Sequence, residues 1–480
     1  MNSTLRRTAH RHLFAPVDNA FLVFFRMAFG AIMLWEVWRY FDYQRIGDYY
    51  IQPKFLFKYY GFEWVQAWGG NGMYWHFCGL GALAFCILVG FCYRVAAALF
   101  FVGFTYVFLL DQTRYLNHFY LISLIAFLMP FLPANRAFAI DALMRPKIRS
   151  GVAPVWTLWL LRAQIGLVYF FGGIAKLNAD WLQGEPMRMW LASRTDYPVV
   201  GPLFTHEWMV YAFTYGGLLL DLCIVPLLLF RRTRWFGMLW GASFHLLNAW
   251  LFYIGIFPWF MLCASLIFFP PDSLGRVAAF IWRREEASAS GRAATTPAQE
   301  FMPLWTIGHR VTFSLLIAYL LFQCAMPLRH FLYPGKVSWT EEGHRFSWHM
   351  KLRGKKGDVR FEIVQPGTGR SWDFDPRTYL LDKQVKVMAT RPDMILQMAH
   401  HLAERMRHEG FGELEVYAHG TVSLNGRKPQ PMVDPRVNLA KEPRSLRTAR
   451  WIVPLKEALP DANERHARHN SMASRVVAPE

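Results

Sequence analysis

The chain is poor in the features a soluble or disulfide-built protein needs. Its six cysteines, Cys78, Cys86, Cys92, Cys223, Cys263 and Cys324, all lie in or beside apolar runs, and none follows Cys324 in 480 residues. No disulfide framework is implied, and the lack of CxxC or Cys/His ligand spacing argues against a metal site. Charged residues make up only 18% of the chain against 54% hydrophobic and 17% aromatic, which excludes an ordinary soluble multidomain protein. A cleavable leader is not expected either. The apolar run after "RRTAHRHLF" is long and has no small-residue cleavage site, so it should stay as an anchor. No internal repeat is visible.

What is abundant is apolar run length. Stretches near 20–41, 74–92, 95–110, 117–133, 155–175, 208–230, 235–252, 254–270 and 307–326 approach the ~20 residues a helix needs to cross hydrocarbon. We therefore expect about nine spans in an α-helical multi-pass membrane bundle. The net charge of +18 raises the question of nucleic acid, but its distribution points elsewhere. Arg6, Arg7 and Arg11 precede the first run, Arg136, Arg145, Lys147 and Arg149 follow the fourth, "RRTR" at 231–234 follows the sixth, and Arg283, Arg284 and Arg292 follow the eighth. Every second loop is basic, as expected for a cytoplasmic N-terminus in a cell inner membrane, and no nucleic-acid partner is implied. The expected order is a basic N-terminus (1–19), a bundle (20–282), a cytoplasmic linker (283–303), a last span (304–328), a small extracytoplasmic α+β domain (329–457) and a disordered tail (458–480). In the outer domain "RFSWHMKLRG" and "DVRFEIVQ" alternate like paired strands, and "ELEVYAHGTVSLNGR" like a second pair. "RPDMILQMAHHLAERMRHEG" has helical spacing and a glycine stop. Excess charge in "KLRGKKGDVR" suits an acidic peptide or an anionic lipid surface.

Ionisable residues inside spans are costly and face bundle interiors. Arg26, Glu36, Arg162 and Asp221 fit structural ion pairs or backbone ties. Arg162, Tyr169 and Lys176 are spaced by seven and fall on one helix face, as do His245 and Asn248. Asn117 and His118 open the fourth run. Taken alone, Lys176 suits a lysine snorkelling to the membrane surface, and His245 with Asn248 suits an interhelical hydrogen-bond pair.

Several of these stretches carry a family likeness. "FRMAFGAIML", "LLDQTRYLNHFYL", "PANRAFAIDALM", "LLRAQIGLVYFFGGIAKLNADWLQG", "GGLLLDL" and "FHLLNAWLFYIGIFPW", followed by "RFSWHM" and "DPRVNL", resemble the vitamin K-dependent gamma-glutamyl carboxylase family from about residue 20 to about 455. The resemblance implies a membrane enzyme that couples oxygenation of vitamin K hydroquinone, of menaquinol type, to carboxylation of a peptide glutamate, with O2 and CO2 as co-substrates. It implies Lys176 as the base and His118 assisting. Asn117, Arg162, Tyr169, His245 and Asn248 would belong to the quinol cavity, and Trp348 and His349 would border the glutamate-containing peptide. Membrane lipid and quinol are the other implied partners. The sequence departs from the family's animal members in having Ala175 at the first residue of a lysine pair, a shorter tail and no cysteine outside the spans, which reads as a prokaryotic homologue. Two further readings remain at this point: a quinol epoxidase or oxygenase uncoupled from carboxylation, and a non-enzymatic transporter or scaffold.

Overall fold

A computed structural model describes residues 13–273 and 306–477, without the side chains of 470 and 472–477. The basic residues before 13 and the linker 283–303 fall outside the described residues. Six described helices are long and apolar enough to cross a membrane: α1 (Ala20–Asp42), α2 (Gly72–Val89), α3 (Tyr93–Leu110), α5 (Val155–Lys176), α7 (Glu207–Leu229) and α10 (Ile307–Leu328). The expected nine spans are not confirmed among the described residues, for local reasons. In the run 117–133, α4 (Asn117–Leu128) gives way to a tight 3-10 turn at Met129–Phe131 that contains Pro130. In 254–270, α9 (Phe257–Ser265) starts only after Gly255 at φ +69°. The 19 residues of α8 (Arg234–Phe252) include Arg234, His245 and Asn248. These three shorter or more polar helices pack among the long ones and carry His118, His245 and Phe257.

The buried charges of the bundle are tied off locally. The Arg26 guanidinium donates to the Phe138 carbonyl at 2.5 Å, Glu36 accepts from Arg39 at 2.6 Å, and Arg162 donates to the carbonyls of Ile267 and Phe269 at 2.9 and 3.0 Å. Strands β1 (Pro16–Asp18) and β2 (Val152–Pro154) pair antiparallel and bring the starts of α1 and α5 together.

The outer domain is α+β, but its strands pair differently from the sequence expectation. Strand β4 (Arg360–Gln365) lies between β5 (Arg370–Phe374) and β6 (Glu415–His419), and β3 (Lys355–Gly357) pairs with β7 (Val422–Leu424), all antiparallel. Amphipathic α11 (Pro392–His408) packs on β6. "RFSWHM" is no strand: Phe346, Trp348 and Lys351 have positive φ. Its alternation is real but serves another core, because Phe346 and Trp348 insert among Tyr115 and Tyr120 of the bundle. The tail contradicts the expected disorder. Residues Ala462–Val477 form α12, which packs on α6 (Met187–Ala192), with the His469 ring between the carbonyls of Arg188 and Phe204.

Polar contacts join the domain to the bundle at several points. The α1–α2 loop places Phe57 in the outer domain's core, with the Lys58 amide donating to Gln397 at 2.8 Å. Just past α5, Asp180 receives a two-pronged bond from Arg427 at 2.6 and 2.7 Å and one from Asn425 at 2.9 Å. Burial alone would raise the Asp180 carboxyl, but Arg427 and Asn425 more than offset it and hold it low. Inside the domain, buried Glu341 binds Arg353 at 2.9 Å and Lys355 at 2.8 Å. Burial, only partly offset by Glu341, pushes the Lys355 amine down to about 8.

Because Arg427→Ala leaves Asp180 buried without its fork, it should cost about 3–5 kcal/mol. The thermal midpoint should fall, and an unchanged midpoint contradicts the anchor. Lys355 gives a pH test. Between about 8 and the unfolded value near 10.5 the unfolded chain holds the proton that the folded chain has lost, so stability rises with pH in that window. The difference in midpoint between wild type and Lys355→Met should therefore grow from pH 8 to 10.5, and a flat difference contradicts the assignment.

Candidate active site

The site begins with the two glycines of "FFGGIAKLN". A Cβ on Gly173 would come within 2.6 Å of the Leu222 side chain, and one on Gly172 within 3.1 Å of the Asp221 carboxylate and 2.9 Å of Met350. Only glycine lets α5 and α7 approach this closely. The approach brings the Lys176 ammonium end, one helix turn on, into direct contact with the Asp221 carboxylate, and Nζ also donates to the Gly172 carbonyl at 3.3 Å. The Trp181 ring lies 5.4 Å from Nζ and is fixed by its indole N–H on the Thr214 carbonyl at 3.0 Å. Both members of the pair are buried.

Two turns back along the same face, the Tyr169 hydroxyl meets His245 Nε2 of α8 at 2.7 Å. Asn248, one turn beyond His245, donates to the Phe244 carbonyl at 2.8 Å. Lys176, Asp221, Tyr169, His245 and Asn248 all line one cavity of about 280 Å³, whose other walls are mainly aromatic and aliphatic, among them Trp190, Phe213, Trp240 and Phe257. Met350 and Lys351 of the outer domain complete it, and the Lys351 ammonium lies over the rings of Trp190 and Phe252 at 5.2 and 4.8 Å.

The remaining sequence candidates fall elsewhere. His118 stands one ring behind the wall, 5.7 Å from Phe257. Asn117 accepts from Tyr115 at 2.9 Å and donates to the His349 carbonyl at 3.3 Å, so it holds the "RFSWHM" segment in place. Arg162 is not in the cavity. Fourteen residues of helix put it about 21 Å along the axis from Lys176, and its guanidinium is engaged by the carbonyls already named. A shared face did not mean a shared site. The ring of Trp348, 1% exposed, is packed on Tyr120 in the bundle core and does not line the cavity.

His349 lines a second, more polar cavity of about 320 Å³ together with Asn178, His330, Lys336 and Asn425. Residues 349 and 350 thus face different cavities, and the segment is the wall between them. Both ring nitrogens of His349 lack a hydrogen-bond partner among the described residues. Burial, and then His330 and Arg353, push its imidazole down to about 3, so it is neutral at physiological pH. The residue that sequence reasoning missed is Asp221 as the partner of Lys176. A lone carboxylate in mid-span was the available signal, but the pairing crosses two helices and no spacing rule reaches it.

Comparison with known proteins agrees with this architecture. The family model of the HTTM domain matches residues 14–273, and that of the vitamin K-dependent gamma-carboxylase lumenal domain matches residues 308–458. No solved structure matches the chain. An apolar bundle with a lysine-centred cavity, closed by a domain of the lumenal type, and two family matches in that order place this chain in the vitamin K-dependent gamma-carboxylase family.

Proposed function

We propose that the chain carries out quinol-driven carboxylation of glutamyl residues, with reduced vitamin K of menaquinol type in the 280 Å³ cavity and Lys176 as the base. The observation that carries this reading is the convergence of Lys176, Asp221, Tyr169, His245 and Asn248 on one apolar cavity under the outer domain. A transporter or scaffold would need no such convergence. The cavity lies at the lower end of the roughly 300–1,000 Å³ usual for small-molecule sites, and its aromatic walls suit a fused-ring headgroup. When bound, the hydroquinone supplies the reaction with oxygen that drives removal of a glutamate γ-proton and capture of CO2.

The chain's own part is proton handling and exclusion of water. Lys176 Nζ, held against the Asp221 carboxyl group, is the atom placed to take a proton from a ligand hydroxyl, and it does so as the neutral amine. The ammonium that results is balanced by the ligand anion formed in the same step, so neither charge stands alone in the cavity. Trp181 and the Gly172 carbonyl aim Nζ. The bond between Tyr169 and His245 offers a second polar point seven residues from the base, and His118 supports the wall through Phe257. Met350 and Lys351 shield the site from water, which would quench basic species. His349 offers the acceptor peptide a neutral imidazole from the adjoining cavity. The basic loops are assigned to the cytoplasmic side of the inner membrane and the outer domain to the other side. Burial of Trp348 removes one expected peptide contact and favours, as a second reading, quinol oxygenation without carboxylation.

Purified protein given reduced vitamin K, a glutamate-rich peptide and labelled bicarbonate should fix label and form epoxide. Epoxide without label supports the second reading, and neither product above a Lys176→Ala control contradicts both. Lys176→Ala strands a buried carboxylate and should lower stability by about 3–5 kcal/mol, whereas adding Asp221→Asn should restore much of that without restoring activity. Tyr169→Phe, which removes the hydroxyl that bonds His245 and Ser265, should slow epoxide formation about tenfold, and an unchanged rate takes Tyr169 out of the site.

A further inference from the structure

At the end of the bundle away from Lys176, residues 136–149 form a connecting loop, with a short helix at Ile140–Met144 and a 3-10 turn at Pro146–Ile148, whose construction answers to no part of the reaction. Phe138 has φ +46°, a left-handed conformation that non-glycine residues seldom adopt. That turn points its carbonyl at the buried Arg26 and leaves its ring 72% exposed. Leu143 and Met144 are exposed beside it. The same loop carries Arg136, Arg145, Lys147 and Arg149, and none of them pairs with a carboxylate among the described residues. Its one acid, Asp141, is consumed by the backbone N–H groups of Cys92 and Tyr93, at 2.8 and 3.0 Å, and by Asn135 at 2.8 Å. The loop therefore presents four cations and no available anion.

Under it opens a cavity of about 680 Å³, lined by Met27 of α1, Leu88 of α2, Phe138 and Leu143, with Arg136 and Arg149 also on its wall. Arg149 Nε is held on the Ala142 carbonyl at 2.7 Å and Arg136 on the Val152 carbonyl at 3.3 Å, so both guanidiniums are positioned by backbone. Met27 and Leu88 belong to membrane-spanning helices, so the apolar floor continues into the lipid-facing surface while the cationic wall stands at its end. A ligand that matches both walls joins an anionic group to a long hydrocarbon chain.

We infer that this cavity is a binding site for an anionic phospholipid, its phosphate between Arg136 and Arg149 and an acyl chain along Met27 and Leu88. A zwitterionic lipid of the same chain length brings a cation into the same basic field and should bind poorly. The basic loop 231–234 has the charge without this cavity and should contribute little to retention of a single lipid molecule.

The full-length protein in detergent, titrated with phosphatidylglycerol or with phosphatidylcholine of the same chains and read by native mass spectrometry, tests this. One phosphatidylglycerol should be retained in preference to phosphatidylcholine. Arg136→Gln with Arg149→Gln should weaken it about thirtyfold. Arg136→Lys with Arg149→Lys should keep most of the binding, and Arg231→Gln with Arg232→Gln should change it less than threefold. Should the double glutamine variant fail to fold, Leu143→Glu puts a carboxylate at the cavity and should have the same effect. Wild-type retention in the glutamine or Leu143→Glu variants, equal retention of both lipids, or equal loss in the 231/232 control would overturn the inference.

Discussion

Everything in the proposed site depends on a lysine and an aspartate meeting inside an apolar bundle. Neither charge could be held there alone, because an ion out of water costs several kcal/mol that only a close partner offsets. The meeting is a backbone achievement before it is an electrostatic one. Gly172 and Gly173 remove the two Cβ atoms that would hold α7 away from α5, and the pair forms at the point of closest approach. In a membrane, where helices gain little from hiding apolar surface from one another, such small-residue contacts and interhelical polar bonds are what set the packing. The Tyr169–His245 bond fixes α8 against α5 in the same way, and the cavity is the space these ties leave between the three helices.

The outer domain is part of the site rather than an attachment to it. Its Phe346 and Trp348 sit in the bundle core, its Met350 and Lys351 finish the apolar cavity, and its His349 opens onto the polar one. The Asp180–Arg427 fork lies four residues beyond Lys176, so the anchor that docks the domain also fixes the end of the helix that carries Lys176. Helix α12, beyond the second family match, holds α6, which supplies Met187 and Trp190 to the cavity wall. A more polar cavity and an apolar one are thus separated by one stretch of chain.

Much of this was legible in the residues, and the failures share a cause. Helix periodicity correctly set Tyr169 with Lys176 and His245 with Asn248, because it reports which side of a helix a residue is on. It does not report distance along the axis, which is why Arg162 seemed to belong and does not. It says nothing of which helix lies opposite, so Asp221 went unpaired. The alternation in "RFSWHM" did mark a buried side, but burial against a bundle looks the same in sequence as burial under a sheet. The tail's terminal position suggested disorder, yet Arg465 and His469 find partners on the 183–204 segment that no local rule could supply.

The most direct test is a structure determined with reduced vitamin K bound. The account predicts the ring among α5, α7 and α8, with a ring hydroxyl within hydrogen-bonding distance of Lys176 Nζ and the outer domain closed over it. A ring found in the polar cavity beside His349, or on the lipid-facing surface with Lys176 and Asp221 still sealed together, would contradict it.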